Sequence, residues 1–240
     1  MCTVTLYHKG NNDFIITSNR DEAPERKSEA PRIYKEGSVK MLYPKDKLAG
    51  GTWIGLSDKN RMICLLNGAF SRHIGKPMYR HSRGVIVRDL LTSIDLESSV
   101  NGYNFENIEP FTIVAADWNE GLKFFELVWD GVKSHFKKIP LSTHIWSSTT
   151  LYTVEMKKER HQWFSDFKLE NDLNSESILN FHSTVSGNKD YGIIMDRGLV
   201  KTTSITQINK TNGLLNMRFI DLETDQRSIV DFGTQKAAYE

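Results

Sequence analysis

The chain has 240 residues, 39% of them hydrophobic, and its 31 Lys and Arg balance 30 Asp and Glu to a net charge of +1. That length buries a substantial core and favours one domain spanning residues 1–240, while the near-neutral charge supplies no electrostatic draw toward nucleic acid or an anionic membrane. No apolar run approaches the roughly 18 residues of a membrane span, no leader pattern opens the chain, and two cysteines, Cys2 and Cys64, make no disulfide framework, so a cytoplasmic protein with both thiols reduced is expected.

Thr3 to His8 and Phe14 to Ser18 read as a hairpin turning at Lys9-Gly10-Asn11-Asn12-Asp13. Residues 22–37, with Pro24, Pro31 and many charges, read as an irregular surface loop. A strand near Val39 to Leu42 leads to Ala49-Gly50-Gly51-Thr52-Trp53-Ile54-Gly55, and a second hairpin, Thr52 to Leu56 with Met62 to Leu66, ends at Asn67-Gly68. From Ser82, a plausible cap, the period becomes helical, with Val87, Leu90, Leu91 and Ile94 on one face.

Phe111 to Ala116, Leu122 to Trp129 and Val132 to Lys138 predict a meander whose second turn is Asp130-Gly131. A strand at His144 to Ser148 precedes a helix over Tyr152 to Lys168, with Met156, Trp163, Phe164 and Phe167 inward and the charged run from Lys157 to Arg160 solvated. A shorter helix spans Glu176 to His182, and strands at Val200 to Asn209, Leu214 to Asp221 and Arg227 to Val230 complete the chain. Many antiparallel strands with few helices define an α+β protein, as two stacked sheets covered by helices or as one large sheet with helices on one face.

The sharpest chemistry lies at the start. Cys2 follows the initiator Met, and so small a residue normally permits removal of Met1. A cysteine so exposed carries its own base, because an α-amine titrating at about 7.7–8.0 accepts the thiol proton near neutrality. Antiparallel pairing returns Asn19, Arg20 and Asp21 to the same end, where a guanidinium would lower the thiol pKa and a carboxylate would hold the amine. The bland alternatives are a small terminal residue at Cys2 and a surface ion pair between Arg20 and Asp21.

Ser18-Asn19-Arg20-Asp21-Glu22 behind Met-Cys, with Gly50-Gly51-Thr52-Trp53-Ile54-Gly55, Leu66-Asn67, Ser82-Arg83-Gly84 and Trp146-Ser147-Ser148, resembles the signature of the NRDE family, which includes the transport-and-Golgi-organisation protein 2 homologues. That family is similar, more remotely, to the choloylglycine-type acylases. The resemblance implies a four-layer αββα sandwich of antiparallel sheets, the fold of N-terminal-nucleophile hydrolases. It also implies amide hydrolysis by Cys2, with Asn19 and Asp21 matching the acylase residues that orient the nucleophile and Asn67 matching an oxyanion-hole donor.

Two departures stand out. The acylase Arg precedes the Asn whereas Arg20 follows Asn19, and a shift of one residue moves a side chain to the opposite face of a strand. Ser148 stands where a second acylase Asn falls. The expected substrate is a small or lipid-like amide. The alternative implied by the resemblance is a non-catalytic binding or trafficking protein for a hydrophobic ligand such as haem or acyl-CoA.

The remaining motifs read structurally. Gly50 and Gly51 suit a tight turn before a core Trp53, although a ligand pocket is the alternative. Cys64 is a core thiol within an apolar strand, and Ser204 lacks the Gly-x-Ser-x-Gly elbow of a hydrolase serine. The seven histidines show no ligand spacing, so neither a metal nor a cofactor is expected.

Overall fold

Strands covered on both faces read as nearly continuous apolar runs, and the strand Arg61–Asn67 shows the consequence. In Arg61-Met62-Ile63-Cys64-Leu65-Leu66, every residue is buried. Met62, Cys64 and Leu66 join the core between two sheets, while Ile63 and Leu65 join a second core under helices.

The computed structural model describes residues 2–185 and 188–233, Cys2 by its backbone. The strands are β1 (Cys2–Gly10), β2 (Asp13–Glu22), β3 (Ser28–Glu36), β4 (Val39–Asp46), β5 (Ile54–Ser57), β6 (Arg61–Asn67), β7 (Phe111–Asp117), β8 (Lys123–Trp129), β9 (Ser134–Ile139), β10 (His144–Ser147), β11 (Lys201–Thr211), β12 (Leu214–Asp221) and β13 (Arg227–Asp231). The helices are α1 (Arg83–Thr92), α2 (Leu96–Gly102), α3 (Val154–Glu170) and α4 (Ser175–His182).

Two antiparallel sheets result, one of order β10-β1-β2-β11-β12-β13 and one of order β3-β4-β5-β6-β7-β8-β9. Val4, Leu6, Phe14 and Ile16 from the first meet Leu56, Met62, Val114 and Phe124 from the second. Ile86, Val87, Leu90 and Leu91 of α1 and Val100 of α2 cover the outer face of the seven-stranded sheet, and α3 and α4 cover the six-stranded one through β10, β2 and β11. The order of layers is therefore helices, sheet, sheet, helices. Among the described residues no helix is long and apolar enough to cross a membrane.

The layer under α3 and α4 is largely polar. Thr3, Thr5, Thr17, Asn19, Asp21, Gln207, Arg160 and His182 are all buried there, and such groups are tolerated only when hydrogen-bonded. Gln207 Nε2, for instance, donates to Thr17 Oγ1 at 3.0 Å and to Ser175 O at 2.9 Å.

Three local expectations are corrected and one helix is added. The expected loop over residues 22–37 contains the edge strand β3, which tolerates Pro31 because its register against β4 shifts between Glu29 and Arg32. Ile94 lies beyond the end of α1 and is 89% exposed. Helix α2 had no predicted counterpart. The run from Lys157 to Arg160 is not uniformly solvated, since Arg160 is fully buried.

Candidate functional site

Antiparallel pairing sets Cys2 opposite Arg20 and Thr3 opposite Asn19, while on the other side of β1 Thr3 pairs with Ser147. Position 2 therefore sits between Arg20 and the end of β10, where Ser148 follows. The Cys2 side chain and Met1 lie outside the described atoms.

Strand β2 distributes its polar end between two faces. On the helix side, Asn19 Nδ2 donates to His182 O at 3.0 Å and Ile193 O at 2.9 Å, which leaves Oδ1 to accept from His182 Nδ1. Burial, with the Arg160 charge adding to it, lowers the His182 pKa to about 3. The ring is thus neutral, its Nδ1 carries the proton, and Nε2 accepts from Thr5 Oγ1 at 2.8 Å.

Asp21, wholly buried, accepts from Tyr152 Oη at 2.7 Å and Thr202 Oγ1 at 2.8 Å. Burial raises its pKa, and Arg160 and the Tyr152 hydroxyl oppose that rise without cancelling it. Arg160 lies 4.0 Å over the Tyr152 ring and donates to Ser147 Oγ, Gly192 O, Tyr191 O and Thr3 Oγ1. One guanidinium thus ties α3 to β10 and to the residue after Cys2.

On the inter-sheet side, Arg20 donates to Asp46 Oδ2 at 2.7 Å and to Arg26 O at 3.0 Å, with its guanidinium 4.8 Å from the Trp53 ring centre. A bulge between Thr202 and Ser204 turns Thr203 to meet it, so that Thr203 Oγ1 accepts from Arg20 Nη1 at 3.3 Å. Arg26 reaches the same Asp46 oxygen at 2.8 Å. Burial alone would raise Asp46, but the Ala49 N–H and the Arg26 and Arg20 charges outweigh it and hold the carboxyl below its usual range. Arg20 and Asp21 therefore do not form the ion pair considered from sequence.

Across the gap, Asn67 ends β6. Ser148 Oγ donates to Asn67 O at 2.7 Å, and Gly68, at φ +86°, lets Thr149 and Thr150 pack against the turn. The Asn67 carboxamide has no hydrogen-bond partner among the described residues. It lines two adjoining hollows. One of about 70 Å³ is walled by Arg20, Arg26, Asp46, Trp53 and Arg83. The other, of about 260 Å³, is walled by Phe70, Val128, Trp146, Ser148 and Lys157.

The glycine motif builds the first hollow. A Cβ on Gly84 would meet Thr52 O at 2.9 Å, and one on Gly51 would meet Gly84 C at 3.0 Å, so these glycines let the start of α1 close against the segment before β5. Trp53 is both buried and a wall of the hollow, which joins the two readings of that motif. Cys64 lies in the inter-sheet core, and Ser204 is a buried strand residue.

Asn19 and Asp21 thus lie behind β2, Arg20 lies on its inter-sheet side, Asn67 ends β6 as a wall of both hollows, and Ser148 anchors the Asn67 main chain. Sequence reasoning missed Asp46, Tyr152, Arg160, His182 and Thr202. Arg160 had a signal: it precedes Phe164 by four residues and Trp163 by three, placing it on the inward face of α3.

Two stacked antiparallel sheets between helix layers, with β1 carrying position 2 at the gap, define the fold of N-terminal-nucleophile hydrolases. A variant of the conjugated bile acid hydrolase from Clostridium perfringens superposes with a TM-score of 0.61 at 10% identity, covering 96% of this chain and 92% of that one. The Caenorhabditis elegans orthologue of N-acylethanolamine-hydrolysing acid amidase gives 0.57 at 13% identity, covering 86% and 92%, and penicillin V acylase from Agrobacterium tumefaciens gives 0.54 at 13%, covering 96% and 86%. No curated protein matches the sequence. The family model described as Transport and Golgi organisation 2 matches residues 1–238, and the chain belongs to that family.

Proposed function

We propose that the protein is an N-terminal-cysteine hydrolase that cleaves a carbon–nitrogen amide bond of a small or lipid-like substrate in the cytoplasm. The observation that carries this reading is the register of β1, which sets position 2 between Arg20 and the end of β10, where Ser148 holds Asn67, whose carboxamide has no hydrogen-bond partner among the described residues. The solved proteins sharing the fold are named as a hydrolase, an acid amidase and an acylase, which supports amide chemistry.

In this reading Met1 is removed and the freed α-amine takes the Cys2 thiol proton. Sulfur attacks the amide carbonyl carbon, and the tetrahedral oxyanion accepts a hydrogen bond from Asn67 Nδ2. The C–N bond breaks as the leaving nitrogen takes the proton held by the α-amine. Water then cleaves the thioester, releasing the acid and restoring the thiol. Asn19 and Asp21 brace β2 from behind and so fix the strand that aligns Cys2, Arg20 faces the substrate, and Ser148 holds the Asn67 backbone in place.

Intact-mass measurement and a Cys2→Ala variant assayed on a panel of N-acyl amides test the reading. Loss of Met1, and hydrolysis abolished in the variant, are expected. Retention of Met1, or hydrolysis unchanged by the substitution, sinks it.

A further inference from the structure

The smaller hollow is rich in guanidiniums. Its walls carry the guanidiniums of Arg20, Arg26 and Arg83 and the carboxylates of Glu22 and Asp46, with Glu109 behind the wall pairing Arg83, so the cluster is close to neutral but offers three guanidinium forks. Arg83 is held by Glu109 at 3.0 Å and Pro110 O at 3.2 Å. Burial lowers its pKa, Glu109 opposes that and Arg26 adds to it, as expected of cations crowded into one space. Helix α1 begins at the same wall through Ser82, Arg83 and Gly84, and its first turn holds no acidic residue to balance the positive end of its dipole.

A second feature is independent of charge. Trp53 lines this hollow, is only 7% exposed, and its indole N–H has no hydrogen-bond partner among the described residues. A buried donor left unmade is costly, and an acceptor in the hollow would satisfy it. Asn67, whose carboxamide has no hydrogen-bond partner among the described residues, lines the same hollow.

We propose that this hollow is a carboxylate subsite, so that the substrates are small amides carrying a carboxylate. A planar carboxylate suits guanidinium forks and supplies an acceptor for the Trp53 indole N–H. The volume of about 70 Å³ fits a headgroup rather than a whole ligand, whose pockets run to about 300–1,000 Å³. The adjoining hollow of about 260 Å³, with Phe70, Val128 and Trp146, takes the less polar remainder. The catalytic consequence rests on the hydrolase reading; the binding itself does not.

The test titrates the Cys2→Ala protein, which cannot turn over, with N-acetylglycine, its neutral analogue N-acetylglycinamide and inorganic phosphate. The readout is the indole N–H resonance assigned by its absence in Trp53→Phe. Saturable movement with N-acetylglycine, none with the neutral amide, and a Kd raised at least tenfold in both Arg83→Gln and Arg26→Gln are expected. Equal binding of the neutral amide, tighter binding of phosphate, or a Kd unchanged in both variants would overturn the assignment. If N-acetylglycine binds as expected but the wild-type enzyme cleaves no amide, the hydrolase reading fails and the subsite stands. If the wild type cleaves neutral and acidic amides with equal kcat/KM, the subsite fails and the hydrolase stands.

Discussion

Arg20 and Asp21 are neighbours in sequence and occupy opposite faces of β2: Arg20 bonds Asp46 between the sheets, and Asp21 accepts from Tyr152 and Thr202 beneath the helices. The motif that reads as one ion pair is two separate structural commitments. Strand alternation enforces this, since successive side chains leave opposite sides of the pleat.

Double-mutant cycles in urea should show the separation. Arg20→Gln with Asp46→Asn removes a direct buried contact and should show coupling within the range of about 0.5–3 kcal/mol measured for touching residues. Arg20→Gln with Asp21→Asn should be additive to within about 0.5 kcal/mol. Coupling of equal size in both cycles would mean that the two faces are not independent.

Arg160 offers the second test. Its guanidinium satisfies the carbonyls of Tyr191 and Gly192 and the Thr3 hydroxyl in a fully buried site. Arg160→Met leaves those acceptors buried and unpaired, at about 1–3 kcal/mol each before relaxation. A loss of at least about 3 kcal/mol in urea unfolding is expected, and a loss below about 1 kcal/mol would show that the clamp is dispensable.

What the sequence disclosed follows from how each layer is made. The inter-sheet core was legible because Met62, Cys64 and Leu66 alternate with residues that also face an apolar layer. The strands expected at Val200 to Asn209 and Leu214 to Asp221 meet at Asn212-Gly213, where both residues adopt positive φ, 51° and 78°, which that dipeptide favours. The polar layer was not legible, because Thr5, Asn19, Arg160 and His182 are individually ordinary surface residues and are joined into one buried network by contacts 157 to 177 residues apart. Asp46 escaped notice for the same reason, since its arginine partners lie 26 and 20 positions away.

His182 makes stability depend on pH. Its pKa falls from 6.5 in the unfolded chain to about 3 in the fold. The unfolded state therefore binds the extra proton between those values, and the stabilisation present above pH 6.5 is lost as pH falls toward 3. The slope is about 1.4 kcal/mol per pH unit, or roughly 2 kcal/mol by pH 5. His182→Gln should be less stable at pH 7 and lose less on acidification, so the gap from wild type should narrow between pH 7 and 5. Parallel curves would show that the buried ring protonates without cost.

Gly84 tests the wall of the small hollow. A methyl group there would press on Thr52 O at 2.9 Å and Thr52 N at 3.0 Å, backbone atoms with little room to yield. Gly84→Ala should cost about 1–3 kcal/mol, the usual penalty for overpacking. Gly75→Ala, where nothing lies within 4 Å, is the control and should change stability far less. Equal effects would remove close approach as the reason for this glycine.

Asn67 separates chemistry from structure most cleanly. Its carboxamide makes no hydrogen bond with any described residue, so Asn67→Ala deletes no internal contact of that kind and should leave the urea midpoint nearly unchanged. If the carboxamide is the oxyanion donor, kcat should fall by about 10²–10³, equivalent to about 2.7–4 kcal/mol of transition-state stabilisation. Ser148→Ala removes the hydroxyl that holds Asn67 O at 2.7 Å and should act in the opposite sense, costing about 1 kcal/mol of stability and only a modest part of kcat. An Asn67→Ala enzyme with full kcat, or a Ser148→Ala enzyme more impaired in catalysis than Asn67→Ala, would exchange the roles assigned to these two residues.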